Sequence, residues 1–579
     1  MSIVVYSMQT NQKNNTSYCI LSTSSNLKCY KTSEFEFVVF EDVNNRMGAL
    51  ITKWIEEGQQ FHGELLQSMK GSYSLLVYDR KKMKIEVFRS LTANPIFYIE
   101  ENDKLYVSNH LQSLSQFSRD LDEDYFRMYL HTELTDIELT PYKDIKRLLP
   151  GFKMVKDKNL RLKTKKNCFF KKLEVANMNI EEYIFIFSKI LKEIVEDSVN
   201  NQSVIGCEVS GGLDSSSVSC LVNQLKSKDA QLYGYTYLFN LLKDGKSNRE
   251  KVDIIYENTD MAPKYLNLSD YWSFKDTEYN ITTYDEPSPL ILNLAMYRDL
   301  HQYAKKMKGK VLFSGEGGDE LLMTSSHFLR DLFFRGEIKL VFDKLMEQSN
   351  KRNQPLWKLF SIHILPALLP IKLRYRLEGK IRKRTWQNTG FDLNWYHTPT
   401  WIGDCLKKID YTEVESERQK VRDENIEGRY LRENFERMIL VNPCPWLNNN
   451  ISRPFGLSRI YPFRDERMIE YLFALPPTIK LEISENKRCI KEGLQHVIPK
   501  ETLISPDRSR FIEIFRKGFY IESRFVNELI QTSRAVELGW IDRNLLRDAV
   551  EKFKYGFNNE VGLISKTFGL ELWLRHQGF

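Results

Sequence analysis

Two glycine-rich strings, far apart in the chain, carry the residues best suited to chemistry. The first, Ser210-Gly211-Gly212-Leu213-Asp214-Ser215-Ser216, follows the strand-formers Val204, Ile205 and Val209. It precedes Val218, Leu221, Val222 and Leu225 at helical spacing. A strand, a glycine turn and a helix start aim backbone N–H groups and a helix N-terminus at one point, which is an anion site. The glycines let phosphate oxygens approach the backbone, and Ser215 and Ser216 add hydroxyl donors. A carboxylate has no place beside phosphates unless a cation lies between them, so Asp214 reads as a Mg²⁺ ligand. The bland alternative is a tight turn in which Asp214 and Ser215 only cap the helix. No lysine follows the glycines, so this is not a Walker loop.

The second string is Ser314-Gly315-Glu316-Gly317-Gly318-Asp319-Glu320, after a short apolar run over 310–313. Both Asp214 and Asp319 follow a strand by a few residues, so both side chains are expected on the same sheet edge. Two carboxylates facing a triphosphate suit hexacoordinate Mg²⁺, with phosphate oxygens and waters completing its shell. An acidic loop capping the next helix is the alternative. Glu316, placed beside an activated carbonyl, would accept a proton from an attacking amine; a loop carboxylate bonded to neighbouring N–H groups is the plainer reading.

The 579 residues are too many for one ordinary core, so two or more domains are expected. A content of 42% hydrophobic and 28% charged residues is that of a globular protein. A net charge of +7, set against 84 basic and 77 acidic residues, implies no nucleic-acid partner. The basic run over 372–384 reads as a solvated helix face. Eight cysteines without a CxxC pair argue against a zinc site or disulfide framework and suit a reducing, cytoplasmic compartment. No signal peptide is visible, and the most apolar stretch, 356–371, is interrupted by Lys358, His363, Pro366 and Pro370, so no membrane span is expected.

These strings need elements to hold them. Short strand-like runs at 74–77, 85–88, 96–99 and 105–107, with polar turns between, predict packed antiparallel sheets over residues 1–172. From 173 onward strands alternate with helices: a helix over 179–200, strands at 232–239, 265–268 and 310–313, and a helix over 290–307. That alternation predicts a parallel sheet, whose ligands bind beyond the carboxyl ends of its strands. A helical stretch without chemical motifs occupies about 326–445, and the apolar spacing of 570–576 predicts a core helix.

The SGGLDSS string resembles the pyrophosphate loop of the N-type ATP pyrophosphatases, the superfamily of asparagine synthetases. Its pairing with SGEGGDE, and the later segment RPFGLSRIYPFRDERMIEYLFALPPTIK, is similar to the synthetase domain of that family. GSYSLLVYD, RSLTANPIFY, KLYVSNH and IKRLLPGF resemble, in order, its N-terminal glutaminase domain. The resemblance implies an α+β, Ntn-type sandwich followed by an α/β domain with a parallel sheet. It implies ATP and Mg²⁺, with Val209, Ser210, Gly211, Gly212, Asp214, Ser215, Ser216, Thr236, Ser314 and Gly315 along the nucleotide and Asp214 and Asp319 on the metal. Glu316 occupies the family's catalytic position, and the segment Asp285-Glu286-Pro287 looks like a pocket loop. Relatives carry a lysine where this chain has Arg508; arginine keeps the charge but cannot share its proton. Lys491, Lys487 or Arg510 are the other candidates for that charge.

The family's glutaminase uses an N-terminal cysteine, whereas here Ser2 and Ile3 follow Met1 and the first cysteine is Cys19. Glutamine is therefore not expected to be the nitrogen donor, and the N-terminal domain is expected to be structural or substrate-holding. The nucleophile would be an amine carried by the substrate, which gains effective molarity when the reaction is intramolecular. The helical insert, with the run SSHFLRDLFFRGEIKLVFDKL followed by a proline-broken LLP segment, resembles that of lasso-peptide cyclases more than that of β-lactam synthetases. That resemblance implies adenylation of an Asp or Glu side chain of a precursor peptide and closure by its N-terminal amine, with a leader peptidase and a leader-recognition protein as partners. Another amide ligase of this family, or an inactive scaffold, are the alternatives.

Overall fold

The computed structural model describes the chain except residues 1–2, 12–15, 24–26, 43–45, 57–70, 103, 158–161, 168–177, 239–247, 278–283, 323–327, 369–397, 505–511 and 558–559. Ser2, Arg508, Arg510 and the basic run 372–384 lie outside the described residues.

Residue alternation builds the N-terminal layers. One antiparallel sheet comprises β1 (Ile3–Asn11), β2 (Thr16–Thr23), β7 (Ile96–Glu101), β8 (Lys104–Ser108) and β9 (Lys146–Leu148), in the order β2-β1-β8-β7-β9. The other comprises β3 (Lys28–Lys31), β4 (Phe35–Asp42), β5 (Tyr73–Asp79), β6 (Lys84–Arg89), β10 (Phe152–Asp157) and β11 (Lys163–Lys166), ordered β11-β10-β6-β5-β4-β3. On β7, Ile96 and Tyr98 join Leu76, Ile85 and Val87 of the other sheet in one core, while Phe97 and Ile99 enter a second core on the opposite face. On β4, Val38 faces the first of these cores and Phe37 and Val39 face outward under Ile51 of the helix Arg46–Glu56. Successive side chains pointing to opposite faces produce this division. The result is two sheets face to face with helices outside, the sandwich expected from the sequence.

The C-terminal sheet is five-stranded and wholly parallel: β12 (Val204–Glu208), β13 (Gln231–Leu238), β14 (Ala262–Asn267), β15 (Val311–Phe313) and β16 (Ser458–Ile460). Its order, β14-β13-β12-β15-β16, reverses direction between β12 and β15. The helix Ile180–Val199 leads into it, closed by a capping box between Asn179 and Glu182. The helix expected over 290–307 instead opens as a 3-10 turn, Pro289–Asn293, before the α-helix Leu294–Lys306. Ser288 caps that turn by accepting from Leu290 N, and the backbone of Gly569 presses on it: a Cβ there would lie 2.3 Å from the Ser288 carbonyl oxygen. The C-terminal helix Val561–Gln577 is core, as its spacing indicated.

The two halves share one hydrophobic core. Phe126 of the N-terminal half stacks on Trp540 at 4.5 Å between ring centroids, and also meets Trp573. Thr135 N donates to Leu440 O at 2.7 Å, and Gln112 Nε2 to Tyr284 O at 2.9 Å. Burial of aromatic surface on this scale fixes the domains against each other.

Candidate functional site

Parallel register places the two motifs together. Cys207 of β12 pairs with Phe313 of β15, so the segments beginning at Glu208 and Ser314 leave neighbouring strands at the same edge. This is where the strand order reverses, the position at which open α/β sheets form a crevice. Gly211, at φ +79°, and Gly317, at φ +96°, take left-handed conformations that side chains resist. The loops touch: a Cβ on Gly315 would lie 2.5 Å from Ser215 N, and one on Gly318 2.5 Å from Asp214 Cγ. Glycine at these two positions is what lets the second motif lie on the first.

Asp214 and Asp319 share one cation. Lys487 Nζ lies 2.6 Å from Asp214 Oδ2 and 2.7 Å from Asp319 Oδ1. Lys487 is delivered by an unusual backbone: Asn486 and Lys487 stand consecutively at φ 51° and 56°, between the helices Pro477–Ser484 and Arg488–Gly493. Two non-glycine residues in the left-handed region carry strain, and such strain concentrates at functional positions. Burial alone would depress the Lys487 ammonium, but the two carboxylates outweigh it and hold it above the usual lysine range. Burial pushes the Asp214 carboxyl up to about 6, with Lys487 opposing and Asp319 and Glu320 adding to the rise. Asp214 Oδ1 is buried with no hydrogen-bond partner.

That unpartnered oxygen bears on the metal expected from the sequence. Asp214, Asp319 and Lys487 together carry one net negative charge, so a triphosphate arriving there needs further positive charge, and Asp214 Oδ1 is an oxygen donor to hold it. Among the described residues no three His, Cys, Asp or Glu side chains converge on a metal position. The pair therefore suits a hard cation that draws most of its ligands from phosphate and water.

The first motif's hydroxyls are engaged locally. Ser215 Oγ and Ser210 Oγ are 2.8 Å apart, and Ser216 Oγ donates to Gly212 O at 2.8 Å. These bonds fix the turn that opens the helix Leu213–Leu225, leaving the backbone N–H groups of its first residues as anion donors. Val209 N donates to Tyr235 O, and Ser314 N to Ile460 O. Thr236 is fully buried, its hydroxyl 2.7 Å from both Val209 O and the Tyr256 hydroxyl. It supports the Val209 backbone from within the core and presents no hydroxyl to a ligand.

Glu316 opens to solvent along the crevice but sits deep among protein atoms. That desolvation, with Glu320 adding to it, pushes its carboxyl up to about 7, while Arg464 opposes. Arg464 is buried behind the turn: a Cβ on Gly317 would lie 2.5 Å from Arg464 Cγ, and Arg464 Nη2 is 3.9 Å from Glu320 Oε1. Beside it Arg459 is ion-paired with Glu208 at the end of β12.

The structure does not bring Lys491 to this centre. It lines a surface hollow with Lys344, Glu485 and Arg488, one helical turn beyond Lys487. Lys487, open as an alternative in the sequence, is among the described residues the basic side chain that pairs with both carboxylates. Asp285 and Glu286 do line a cavity, and Glu286 is ion-paired with buried Arg147 of the N-terminal half. Sequence reasoning missed the π-helical turn Asn448–Ser452, in which Asn450 Oδ1 accepts from Asp285 N at 2.9 Å and Asn448 Oδ1 from Arg459 N at 3.2 Å. Three successive asparagines were the available signal, and π turns of this kind recur at functional sites.

Family profiles agree with this architecture. The profile of the Asparagine synthase family matches residues 187–575, and that of the Glutamine amidotransferase domain matches residues 48–166. Amidase chyE of Penicillium rubens is 21% identical over 570 residues, covering 90% of this chain and 80% of that one. Glutamine phosphoribosylpyrophosphate amidotransferase from B. subtilis is 8% identical, with a TM-score of 0.19 over 54% of this chain and 84% of that one. NH3-dependent NAD synthetase from Campylobacter jejuni is 12% identical, with a TM-score of 0.19 over 37% and 98%. With the synthase profile spanning both carboxylate motifs, Lys487 and the whole parallel sheet, this chain belongs to the asparagine synthase family.

Proposed function

We propose that the protein is an ATP-dependent ligase that activates a carboxylate as its acyl-adenylate and joins it to an amine of the same substrate, closing a macrolactam as lasso-peptide cyclases do. The observation that carries the ligase reading is the convergence of Asp214 and Asp319 on one cation at the reversal of the parallel sheet. Membership of the asparagine synthase family supports ATP-dependent amide formation.

In this reading the backbone N–H groups at the start of Leu213–Leu225 hold the pyrophosphate portion of ATP. Lys487 has three donors and uses two on the carboxylates, so it can turn the third to a phosphate oxygen. Asp214 and Asp319 would hold Mg²⁺, which when bound supplies charge neutralisation between carboxylates and phosphates. Glu316, with a carboxyl near 7, accepts the proton that the amine loses on attack. Such matching of pKa to working pH is how general bases are tuned.

The N-terminal half supports an intramolecular amine. Cys19, the first cysteine, lies inside β2 with its backbone paired across to Met8 of β1, which supports a domain without an N-terminal cysteine nucleophile. We therefore read the glutaminase-like domain as inactive toward glutamine, with a precursor peptide as substrate and a leader peptidase and leader-recognition protein as partners. A second reading draws on Amidase chyE, whose match runs through both domains: a small-molecule substrate whose carboxylate or amine is joined in an amide.

ATP–pyrophosphate exchange separates the readings. Exchange stimulated by a cleaved core peptide but not by free aspartate supports the cyclase. Exchange stimulated only by small carboxylic acids moves the protein to the second reading, and no exchange with any carboxylate removes the ligase altogether.

A further inference from the structure

At the seam between the two halves lies a cavity of about 370 Å³, within the range of about 300–1,000 Å³ typical of small-molecule sites. Its walls are largely apolar and aromatic, with Phe97, Tyr125 and Tyr129 from the N-terminal half facing Leu290, Val441 and Trp446 from the C-terminal half. Glu320, the residue after Asp319, also contributes to its lining, so the cavity reaches the reaction centre.

Its polar groups are unevenly satisfied. Asp285 is 5% exposed and Asn449 4% exposed, both line the cavity, and neither Asp285 Oδ2 nor Asn449 Oδ1 has a hydrogen-bond partner. The nearest basic group to Asp285 Oδ2, His110 Nδ1, stands 3.8 Å away, beyond hydrogen-bond reach. Unpaired buried acceptors are costly, and they call for a donor. Five carboxylates (Glu133, Asp136, Asp285, Glu286, Glu320) outnumber the three basic side chains of the lining, Arg147, Arg437 and Lys566. Of the basic ones, Arg147 is engaged by Glu286 and Asp136, and Arg437 by Glu133, although Arg437 Nη1 has no acceptor. An amine head beside a carbonyl oxygen, on an apolar body, suits the excess of carboxylates, the two guanidinium nitrogens without an acceptor (Arg147 Nε and Arg437 Nη1) and the aromatic walls.

We propose that this interdomain cavity is the acceptor site and seats the free α-amino group of a substrate residue with an apolar side chain. It rests on the ligase reading for its purpose, because a site for the attacking amine next to Glu320 is meaningful only where an activated carboxylate forms. Its chemistry also gives the glutaminase-like half a role, since that half supplies one aromatic wall.

The test is isothermal titration of the full-length protein with phenylalaninamide, N-acetylphenylalaninamide and aspartic acid diamide. Phenylalaninamide should bind saturably, and blocking its amine or replacing its ring with the polar side chain should each weaken binding at least tenfold. Asn449→Leu should weaken phenylalaninamide at least tenfold while leaving the acetylated compound unchanged. Should Asn449→Leu fail to fold, Leu290→Trp, which fills the cavity, must abolish binding of phenylalaninamide with the melting temperature retained. Equal affinity for the free and acetylated amines, no saturable binding, or binding that survives Leu290→Trp overturns the proposal. ATP titrated into the same preparation keeps the two readings apart: loss of ATP binding sinks the ligase, whereas loss of amine binding alone sinks only the acceptor site.

Discussion

Gly318 packs so tightly on Asp214 that a Cβ on the glycine would lie 2.5 Å from the carboxylate carbon. A methyl group there cannot be absorbed by a flexible chain end, because Asp214 is itself fixed at the first turn of Leu213–Leu225. Gly318→Ala should therefore push the two carboxylates out of register. An ångström of misplacement in a preorganised site costs about a hundredfold in rate, so pyrophosphate exchange should fall at least that far. The melting temperature should drop by only a few degrees, measured by calorimetry; exchange at the wild-type rate would show that the contact has no bearing on the chemistry.

Lys487 is the cation that lets Asp214 and Asp319 remain close. With Lys487→Met the pair loses the attraction that opposes their repulsion, and Asp214, already raised to about 6 by burial, rises further. Exchange should fall by roughly two to three orders of magnitude, the usual cost of losing one charged group aimed at a developing anion. Part of that loss should be recovered by raising Mg²⁺, which supplies the missing charge. The check is a Mg²⁺ titration of exchange for both proteins; identical Mg²⁺ dependence would place Lys487 outside the metal and phosphate chemistry.

How much of this was written in the chain is best seen from particular residues. Asp214 and Asp319 were legible because glycine-rich turns after strands have few uses, and parallel topology then brings adjacent strand ends to one edge. Lys487 was not singled out, because its position depends on two consecutive left-handed residues, Asn486 and Lys487, and a single asparagine is too weak a turn signal to announce them. Lys491 looked equally good on the same segment and faces a different hollow. Thr236 sits on the correct strand, yet whether its hydroxyl faces a ligand or Tyr256 is decided by packing across β13. β16 has three residues, too short for any periodic signal, and only its pairing with β15 defines it. The interdomain cavity, too, has no sequence signature, since its walls come from both halves of the chain.

Glu316 should set the pH dependence of amide formation. It must be ionised to accept a proton, and its carboxyl, though the residue is open to solvent, is raised to about 7 by the desolvation of surrounding protein atoms and by Glu320. As pH falls through that value the base becomes protonated, so ring closure should slow about tenfold for each pH step below it and level off above about pH 8. Glu316→Gln should slow ring closure by about two to four orders of magnitude, the range for losing a general base, and should erase the inflection near 7. Exchange, which precedes amine attack, should suffer far less. The measurement is ring closure and exchange followed separately from pH 5 to 9; an unshifted inflection in the variant would remove Glu316 as the base.

Lys480 offers a test of stability independent of any ligand. On the helix Pro477–Ser484 it is 2% exposed, its Nζ has no hydrogen-bond partner, and the ammonium nitrogen lies 3.5 Å from the centroid of the Phe473 ring. Burial lowers its pKa from 10.5 to about 7. Between those values the unfolded chain binds a proton that the folded chain does not, so stability rises with pH across the window from 7 to 10.5. Lys480→Met keeps the length and apolar stem and removes the titrating group. Near neutral pH it should therefore stabilise the fold by about 2–4 kcal/mol. The full separation of the folded and unfolded pKa values would give somewhat more, and the relaxation of the protein around a buried charge reduces it to this range. That advantage should shrink steadily as pH is raised toward 10, because free lysine then also loses its proton. Urea unfolding of both proteins at pH 7, 8.5 and 10 reads the effect directly. A constant difference across the three values would mean that Lys480 keeps its charge when folded, held by the face of the Phe473 ring.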